Sequence, residues 1–223
     1  MQIAPLLKIG RGVTALIGGG GKTTLLYTLA EELRVRGSVI LCTSTKIRVP
    51  EQYPLLTGDG ADAVRDALQQ HGAVCVGTPF EGGKLRAPAL PFESLAALAD
   101  YVLVEADGAH CLPLKAHAPY EPVIPANAGR VVLVVGASGF GKPIRETCHR
   151  PALYAQRALA DPDDPVTPEL EARVVAAEDY GDRIYVNQVE NETGFRIAQE
   201  LAQRLACPVT AGSLHKGVYT CLS

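Results

Sequence analysis

Gly18, Gly19, Gly20 and Gly21, followed by Lys22, Thr23 and Thr24, are the residues of this chain whose types and spacing most directly suggest chemistry. Consecutive glycines let several backbone N–H groups turn toward one point, because no Cβ blocks the approach or forbids positive φ. The run follows the apolar stretch Val13 to Ile17 and opens the amphipathic stretch Leu25 to Arg36. A strand should therefore deliver it, and a helix N-terminus should add its dipole and unpaired first-turn amides. That is the layout of a Walker A phosphate loop, in which Gly18 to Thr24 cradle the phosphates, Lys22 reaches the terminal ones and the Thr23 hydroxyl ligates Mg²⁺. The loop is a shortened variant, since Leu16 stands where the usual spacing wants glycine. A second run, Gly136 to Pro143, keeps the glycine and lysine spacing after the apolar Val131 to Val135. Pro143 occupies its Ser/Thr position and offers neither a hydroxyl nor an N–H, so this run reads as a glycine-rich turn.

Further candidates lie where other apolar runs end. Tyr101 to Val104 runs into Glu105-Ala106-Asp107-Gly108, and strand alternation points Glu105 and Asp107 the same way. Acidic groups there can hold the shell of Mg²⁺ or orient a water for attack on a γ-phosphate. The expected roles are Asp107 with Thr23 on the metal, Glu105 orienting water, and Lys22 stabilising transferred charge. Thr45, after the run Val39 to Cys42, is placed to touch Mg²⁺ or the γ-phosphate, although such hydroxyls also serve as caps and turns. Asn187-Gln188-Val189-Glu190 follows Arg183 to Val186 at a place where P-loop GTPases carry Asn-Lys-x-Asp. Asn187 and Glu190 are therefore expected at the base side of a nucleotide pocket, with ATP against GTP open and a lean to GTP. An Asn cap before a helix beginning near Thr193 is the competing reading. Leu112 to Pro122 is too interrupted by proline for a helix. In it Lys115, His117 and Glu121 could contact a second substrate or a partner, the alternative being a solvated connector.

The elements that must position these residues alternate. Helical spacing ends at Gly37 and again at Gly72, and strands are expected over Ala73 to Val76 and Pro208 to Ala211. Phe80 to Leu85 reads as a surface hairpin, and Pro151 to Ala160 and Pro168 to Ala177 as helices. This predicts a mostly parallel sheet with helices on both faces, in one domain over 1–223. A content of 47% hydrophobic and 20% charged residues is an ordinary globular balance, and no apolar stretch is long enough to span a membrane. No basic stripe accompanies the net charge of −3, which argues against nucleic-acid binding. Met1 to Ile9 lacks a signal-peptide pattern, so the expected location is the cytoplasm. The six cysteines have no C-x-x-C pair and read as free thiols. Only His110-Cys111 and Cys148-His149 could meet as soft metal ligands, and adjacent ligands make an awkward geometry.

The glycine loop, Thr43-Ser-Thr-Lys46, Val104-Glu-Ala-Asp-Gly-Ala109, Pro113-Leu-Lys-Ala-His-Ala-Pro-Tyr-Glu-Pro122 and Val186-Asn-Gln-Val189 together resemble the YqeC-type family of accessory proteins for selenium-dependent hydroxylases. The resemblance runs in order over most of the chain. It implies a P-loop NTPase-like three-layer α/β fold and a role in maturing the selenium-containing molybdenum cofactor of a client hydroxylase. The loop is also similar to the G-T-N-G-K-T-T loop of Mur-type ligases. Three functions follow as expectations: a Mg²⁺-dependent nucleoside triphosphatase, a small-molecule kinase or Mur-like ligase with Lys115 and His117 on the acceptor, and a non-catalytic nucleotide-dependent binding module.

Overall fold

The computed structural model describes residues 2–58 and 60–223. A single-turn helix α1 (Ile3–Leu6) precedes strand β1 (Gly12–Gly18), the glycine loop and helix α2 (Lys22–Leu33). Strands β2 (Val39–Thr43), β3 (Lys46–Arg48) and β4 (Leu55–Leu56) lead to α3 (Ala61–His71) and β5 (Ala73–Val76). The hairpin β6 (Thr78–Phe80) and β7 (Lys84–Arg86) comes next, followed by α4 (Phe92–Leu98) and β8 (Tyr101–Glu105). The second half holds β9 (Leu114–Lys115), β10 (Ala128–Gly136), α5 (Ile144–Thr147), β11 (Cys148–His149), α6 (Pro151–Ala158) and α7 (Pro168–Glu178). It closes with β12 (Arg183–Asn187), α8 (Glu192–Ala202), β13 (Val209–Ser213) and β14 (Val218–Cys221).

Nine strands form one sheet in the order β14-β13-β12-β10-β1-β8-β2-β5-β4. Every pairing in it is parallel except that of β13 with β14. Both faces are covered, which is why the inner strands read as continuous apolar runs rather than alternating ones. Along β1 the pleat divides the core. Leu16 packs with Leu25, Leu26 and Leu29 of α2, whereas Ala15 and Ile17 face a cluster containing Tyr154 of α6, Val174 of α7 and Leu201 of α8. Val13 joins Val64 of α3 and Leu95 of α4 on that second face. With the glycine loop joining the central strand to α2, this is a P-loop NTPase-like α/β fold.

Three elements differ from the sequence expectation. β14 adds an antiparallel edge beyond β13, where Tyr219 is buried and Val218 is not, so one face alone drives its docking. β3 joins the expected hairpin as a small antiparallel sheet. The proline-interrupted segment contains β9, which pairs in parallel with β11. The alternation of short two- and three-residue strands is too brief to register as periodicity.

The carboxyl ends of β1, β8, β2, β10 and β12 converge on the glycine loop. Gly20 has φ of 71°, and a Cβ there would lie 2.5 Å from Gly136 Cα. A Cβ on Gly136 would in turn lie 2.5 Å from Gln188 Oε1 and 2.7 Å from Pro113 Cβ. The second glycine run therefore serves to let β10 approach the first loop. Gly136→Ala should lower the melting temperature by several degrees and weaken any ligand held by the glycine loop, because backbone must shift to admit the methyl. Gly129→Ala, on the same strand with open space around it, is the matched control and should change neither.

Helices α6 and α7 are clamped by Tyr154, whose hydroxyl donates to Glu171 Oε2 at 2.6 Å. Burial pushes the Glu171 carboxyl up to about 7, against the pull of Tyr154 and His117. The folded state therefore holds this proton more tightly than the unfolded chain. That contribution to stability is complete below the unfolded value near 4.5 and is lost as pH rises through about 7. Denaturant titrations should show a wild-type decline on the order of 3 kcal/mol across this window, and Glu171→Gln should flatten it. An unchanged slope in the variant would remove Glu171 as its source.

Candidate functional site

Gly21 is the N-cap of α2 and offers no side chain. The amides upstream of it are already engaged. Gly18 N–H donates to Asp107 Oδ2 at 2.8 Å, Gly19 N–H to Val134 O at 2.9 Å and Gly20 N–H to Leu112 O at 3.0 Å. Sequence reasoning expected these amides to face phosphate, and the structure assigns them to holding the loop shut against its neighbours. The N–H groups of Gly21, Lys22, Thr23 and Thr24 have no acceptor among the described residues. They are the unpaired first turn of a helix and point, with its dipole, at one place.

Lys22 is 5% exposed, with Nζ donating to Gly18 O at 2.6 Å and lying 2.9 Å from Asp107 Oδ1. Thr23 Oγ1 donates to Glu105 Oε2 at 2.8 Å, and Lys22 Nζ is 4.0 Å from Glu105 Oε1. The hydroxyl that the sequence placed on a metal with Asp107 thus sits on Glu105 instead. Register explains the exchange: Glu105 lies level with Leu16, one turn of the pleat below the loop, while Ala106 N–H still donates to Leu16 O and Asp107 runs on beneath Gly18. Burial pushes the Glu105 carboxyl up despite Lys22 and the Thr23 hydroxyl, so this carboxylate is short of positive charge. A hydroxyl and a carboxylate are hard oxygen donors suited to Mg²⁺, which binds few protein oxygens and completes its shell with phosphate and water. No group of three or more His, Cys, Asp or Glu among the described residues could hold a metal by itself. The donor set therefore fits a cation held jointly with a phosphate ligand.

Asp107 is fully buried. Burial alone would raise its carboxyl, but Lys22, the contact with His117 and Lys115 hold it well below the usual carboxylate range. Lys115 Nζ is 3.3 Å from Asp107 Oδ2 and 2.9 Å from Glu121 Oε2, and donates to Gly108 O. His117 places Nε2 2.5 Å from Asp107 Oδ2 and Nδ1 2.5 Å from Glu178 Oε2. Arg150 Nε donates to Glu121 Oε1 at 2.9 Å. Burial would raise the Glu121 carboxyl too, and Lys115 and Arg150 lower it. Lys115, His117 and Glu121, expected to contact a second substrate or partner, are all buried: Lys115 is held by Asp107 and Glu121, and His117 by Asp107 and Glu178.

Sequence reasoning missed Arg150, Arg157 and Glu178, which complete that network; Arg157 pairs with Glu178 Oε1. One signal was present. Glu178 is an acid at the C-terminal end of α7, the wrong end for the helix dipole unless a cation meets it.

The remaining candidates lie around the same rim. Thr45 N–H donates to Thr43 Oγ1 at 3.0 Å, and that hydroxyl donates to Glu105 O at 2.7 Å. Asn187 Nδ2 donates to Gly20 O at 2.7 Å, and its Oδ1 accepts from Leu214 N–H at 3.1 Å. Asn187 braces the glycine loop, and the cap of α8 is Asn191. Gln188, with φ of 63°, accepts from the Ser138 hydroxyl. Glu190 accepts from the Ser213 hydroxyl at 2.6 Å and pairs with Lys216 at 3.1 Å. Cys42 and Cys75 are buried in strands, and Cys148 packs in the core, while Cys111 is exposed.

A family model described as "YqeC protein" matches residues 14–152. A curated relative from Escherichia coli (strain K12), named "Uncharacterized protein YqeC", is 31% identical over 160 residues, covering 68% of this chain. The match spans 62% of that relative's length. Among solved structures, the signal recognition particle 54 kDa protein from Aeropyrum pernix K1 in complex with GDP aligns over 96% of this chain and 44% of its own, with 17% identity and a TM-score of 0.44. The matched span carries the glycine loop, the Glu105–Asp107 pair and the buried network through Arg150, and on that match the chain belongs to the YqeC family.

Proposed function

We propose that this chain binds a Mg²⁺–nucleoside triphosphate at the N-terminus of α2 and hydrolyses its terminal phosphate. The observation that carries this reading is the set of acceptor-free amides from Gly21 to Thr24, flanked by Lys22 on one side and by Thr23 with Glu105 on the other. Such a helix terminus attracts a phosphate anion without further arrangement. Lys22 exchanges Gly18 O for phosphate oxygen and stabilises charge on the transferred group. Thr23 and Glu105 are the residues that would hold Mg²⁺, which supplies charge neutralisation to the phosphates. Thr45, half-buried beside Glu105, is the hydroxyl left at this edge to contact a terminal phosphate or its water.

Asn187 fixes the loop that receives the phosphates, and Glu190, beside Ser213, is the acceptor pair we assign to the base, with a lean to GTP over ATP. As its cellular role we propose, from the resemblance alone, maturation of a selenium-dependent molybdenum hydroxylase in the cytoplasm, with the hydroxylase as client. We read 1–223 as one folding unit, since its two faces share a single sheet.

Calorimetric titration with Mg²⁺–ATP and Mg²⁺–GTP tests the site. Lys22→Ala should weaken triphosphate binding by about 100-fold, on the scale of a charged hydrogen-bonded contact; equal affinity in the variant would displace the site. Glu105→Gln should reduce the Mg²⁺ dependence of binding while leaving the melting temperature near wild type. Asp107→Asn should instead destabilise the fold by roughly 3 kcal/mol, because it removes the buried negative charge shared by Lys22, Lys115 and His117. A stable Asp107→Asn variant that has lost only its Mg²⁺ dependence would restore the metal to Asp107. In a hydroxylase maturation assay, protein carrying Lys22→Ala should yield inactive client.

A further inference from the structure

The turn from Gly108 to Leu112 is tied to the phosphate loop, since Leu112 O accepts from Gly20 N–H. It carries His110 and Cys111 in left-handed backbone, at φ of 50° and 62°, and both side chains are exposed. Non-glycine residues hold that conformation only when the surroundings impose it, and such strain concentrates at ligand sites. On the adjoining segment Arg150 is also left-handed, at φ of 61°. Pairing of β9 with β11 sets His149 opposite Lys115. The His149 ring then stacks on the His110 ring, with centroids 4.6 Å apart and planes 26° from parallel.

Neither imidazole makes a hydrogen bond to any described residue, although each neutral ring carries one donor and one acceptor. The other polar groups nearby are engaged: Lys115 by Asp107 and Glu121, and Arg150 by Glu121 through Nε and Nη2. Arg150 also lies over the exposed Tyr120 ring, 5.2 Å from its centroid. Burial, then Lys115, Arg150 and His110, push the His149 imidazole down to about 4, with Glu121 opposing. His149 is therefore a neutral ring at neutral pH, with one nitrogen free to donate and the other to accept.

We propose that His110 and His149, backed by Arg150 and the buried Lys115, form a subsite beside the phosphate loop for a small anionic second ligand bearing a carboxylate or phosphate group. The assignment rests on the nucleotide reading only for its partner at the loop. It moves the second-ligand role from Lys115 and His117, which are buried, to the exposed His110 and the half-buried His149 beside them. An anion here receives imidazole N–H donors while lysine and arginine supply charge from behind. The exposed Cys111 thiol lines the same rim.

Histidine Cε1–H resonances report the test. The full chain, saturated with a Mg²⁺–nonhydrolysable triphosphate, is titrated separately with inorganic phosphate and with acetate, resonances being assigned through single His→Ala variants. His110 and His149 should shift together and saturably with at least one anion, while His71 and His215 stay fixed. His149→Gln should weaken the half-saturation seen at His110 by about tenfold, the loss of roughly one hydrogen bond to a charged group. Lys22→Ala, titrated without nucleotide, should keep the shifts, which separates this subsite from the phosphate loop: retained shifts in a wild-type chain that binds no Mg²⁺–triphosphate would sink the function proposed above and leave the subsite standing. Absence of a saturable shift at both rings, equal shifts at His71 and His215, or disappearance of the shifts in Lys22→Ala would overturn the subsite. A response of the two rings to zinc alone, with none to either anion, would likewise overturn it in favour of a metal.

Discussion

The carboxylate of Asp107 is the point on which the carboxyl edge of the sheet is built. It is fully buried, and an isolated ionised carboxylate in such a place would be untenable. It survives as an anion because the chain brings Gly18 N–H and Lys22 to it from the glycine loop and Lys115 and His117 from the 112–122 segment. Each of those partners is thereby located. The strand β8 fixes where the charge is, and the loop, the helix α2 and the segment 112–122 must arrange themselves around it. Its Oδ1 faces Lys22 as an ion pair without a well-directed hydrogen bond. Of the groups around it, Lys22 does most to hold that carboxyl low.

From Asp107 the network continues in two directions. One runs through His117 to Glu178 and Arg157, which ties the site to the α6–α7 pair; the other runs through Lys115 to Glu121 and Arg150. This explains why a stretch containing Pro113, Pro119 and Pro122 is ordered at all. Proline removes the backbone donors that would have built a helix or a ladder there, and buried ion pairs take over as the ordering interaction. Buried pairs contribute little net stability against an apolar alternative, yet losing one member is severe. Such a network selects one arrangement of the segment rather than making it tighter.

Much of this was legible in the sequence, and for identifiable reasons. The apolar runs ending in Gly18, Thr43, Glu105 and Asn187 are buried parallel strands, and their carboxyl ends do converge. Lys22 at the first position of α2 follows from the glycines before it and the amphipathic spacing after it. Two things were not legible. Strand alternation puts Glu105 and Asp107 on one side but says nothing about depth, so it could not tell the carboxylate beside Thr23 from the one beneath the loop. His117 and Glu121 pair with Glu178 and Arg150, 61 and 29 positions away in sequence and beyond the reach of any local pattern, and Lys115 is held by Asp107 and Glu121 within that frame. Reactive side chains in a loop looked available because their partners lie on α6, α7 and the turn before α6.

The shortened spacing of the loop has a structural cause at Leu16. In place of the glycine of the longer motif, Leu16 is a fully buried strand residue, paired across to Glu105 on one side and Val132 on the other. The strand therefore continues two residues farther before the chain turns, and the turn is made by Gly18 to Gly21 alone. With Gly18, Gly19 and Gly20 amides bonded to Asp107, Val134 and Leu112, the loop has no spare length to wrap around a phosphate chain. What it retains is the helix terminus with its unpaired amides and Lys22, open from one side. The opposite side is bounded by the Leu112–Pro113 backbone and, beyond it, by the turn bearing His110. A short loop thus leaves the space over the helix terminus more open to groups from the 108–122 segment than a longer, enveloping loop would.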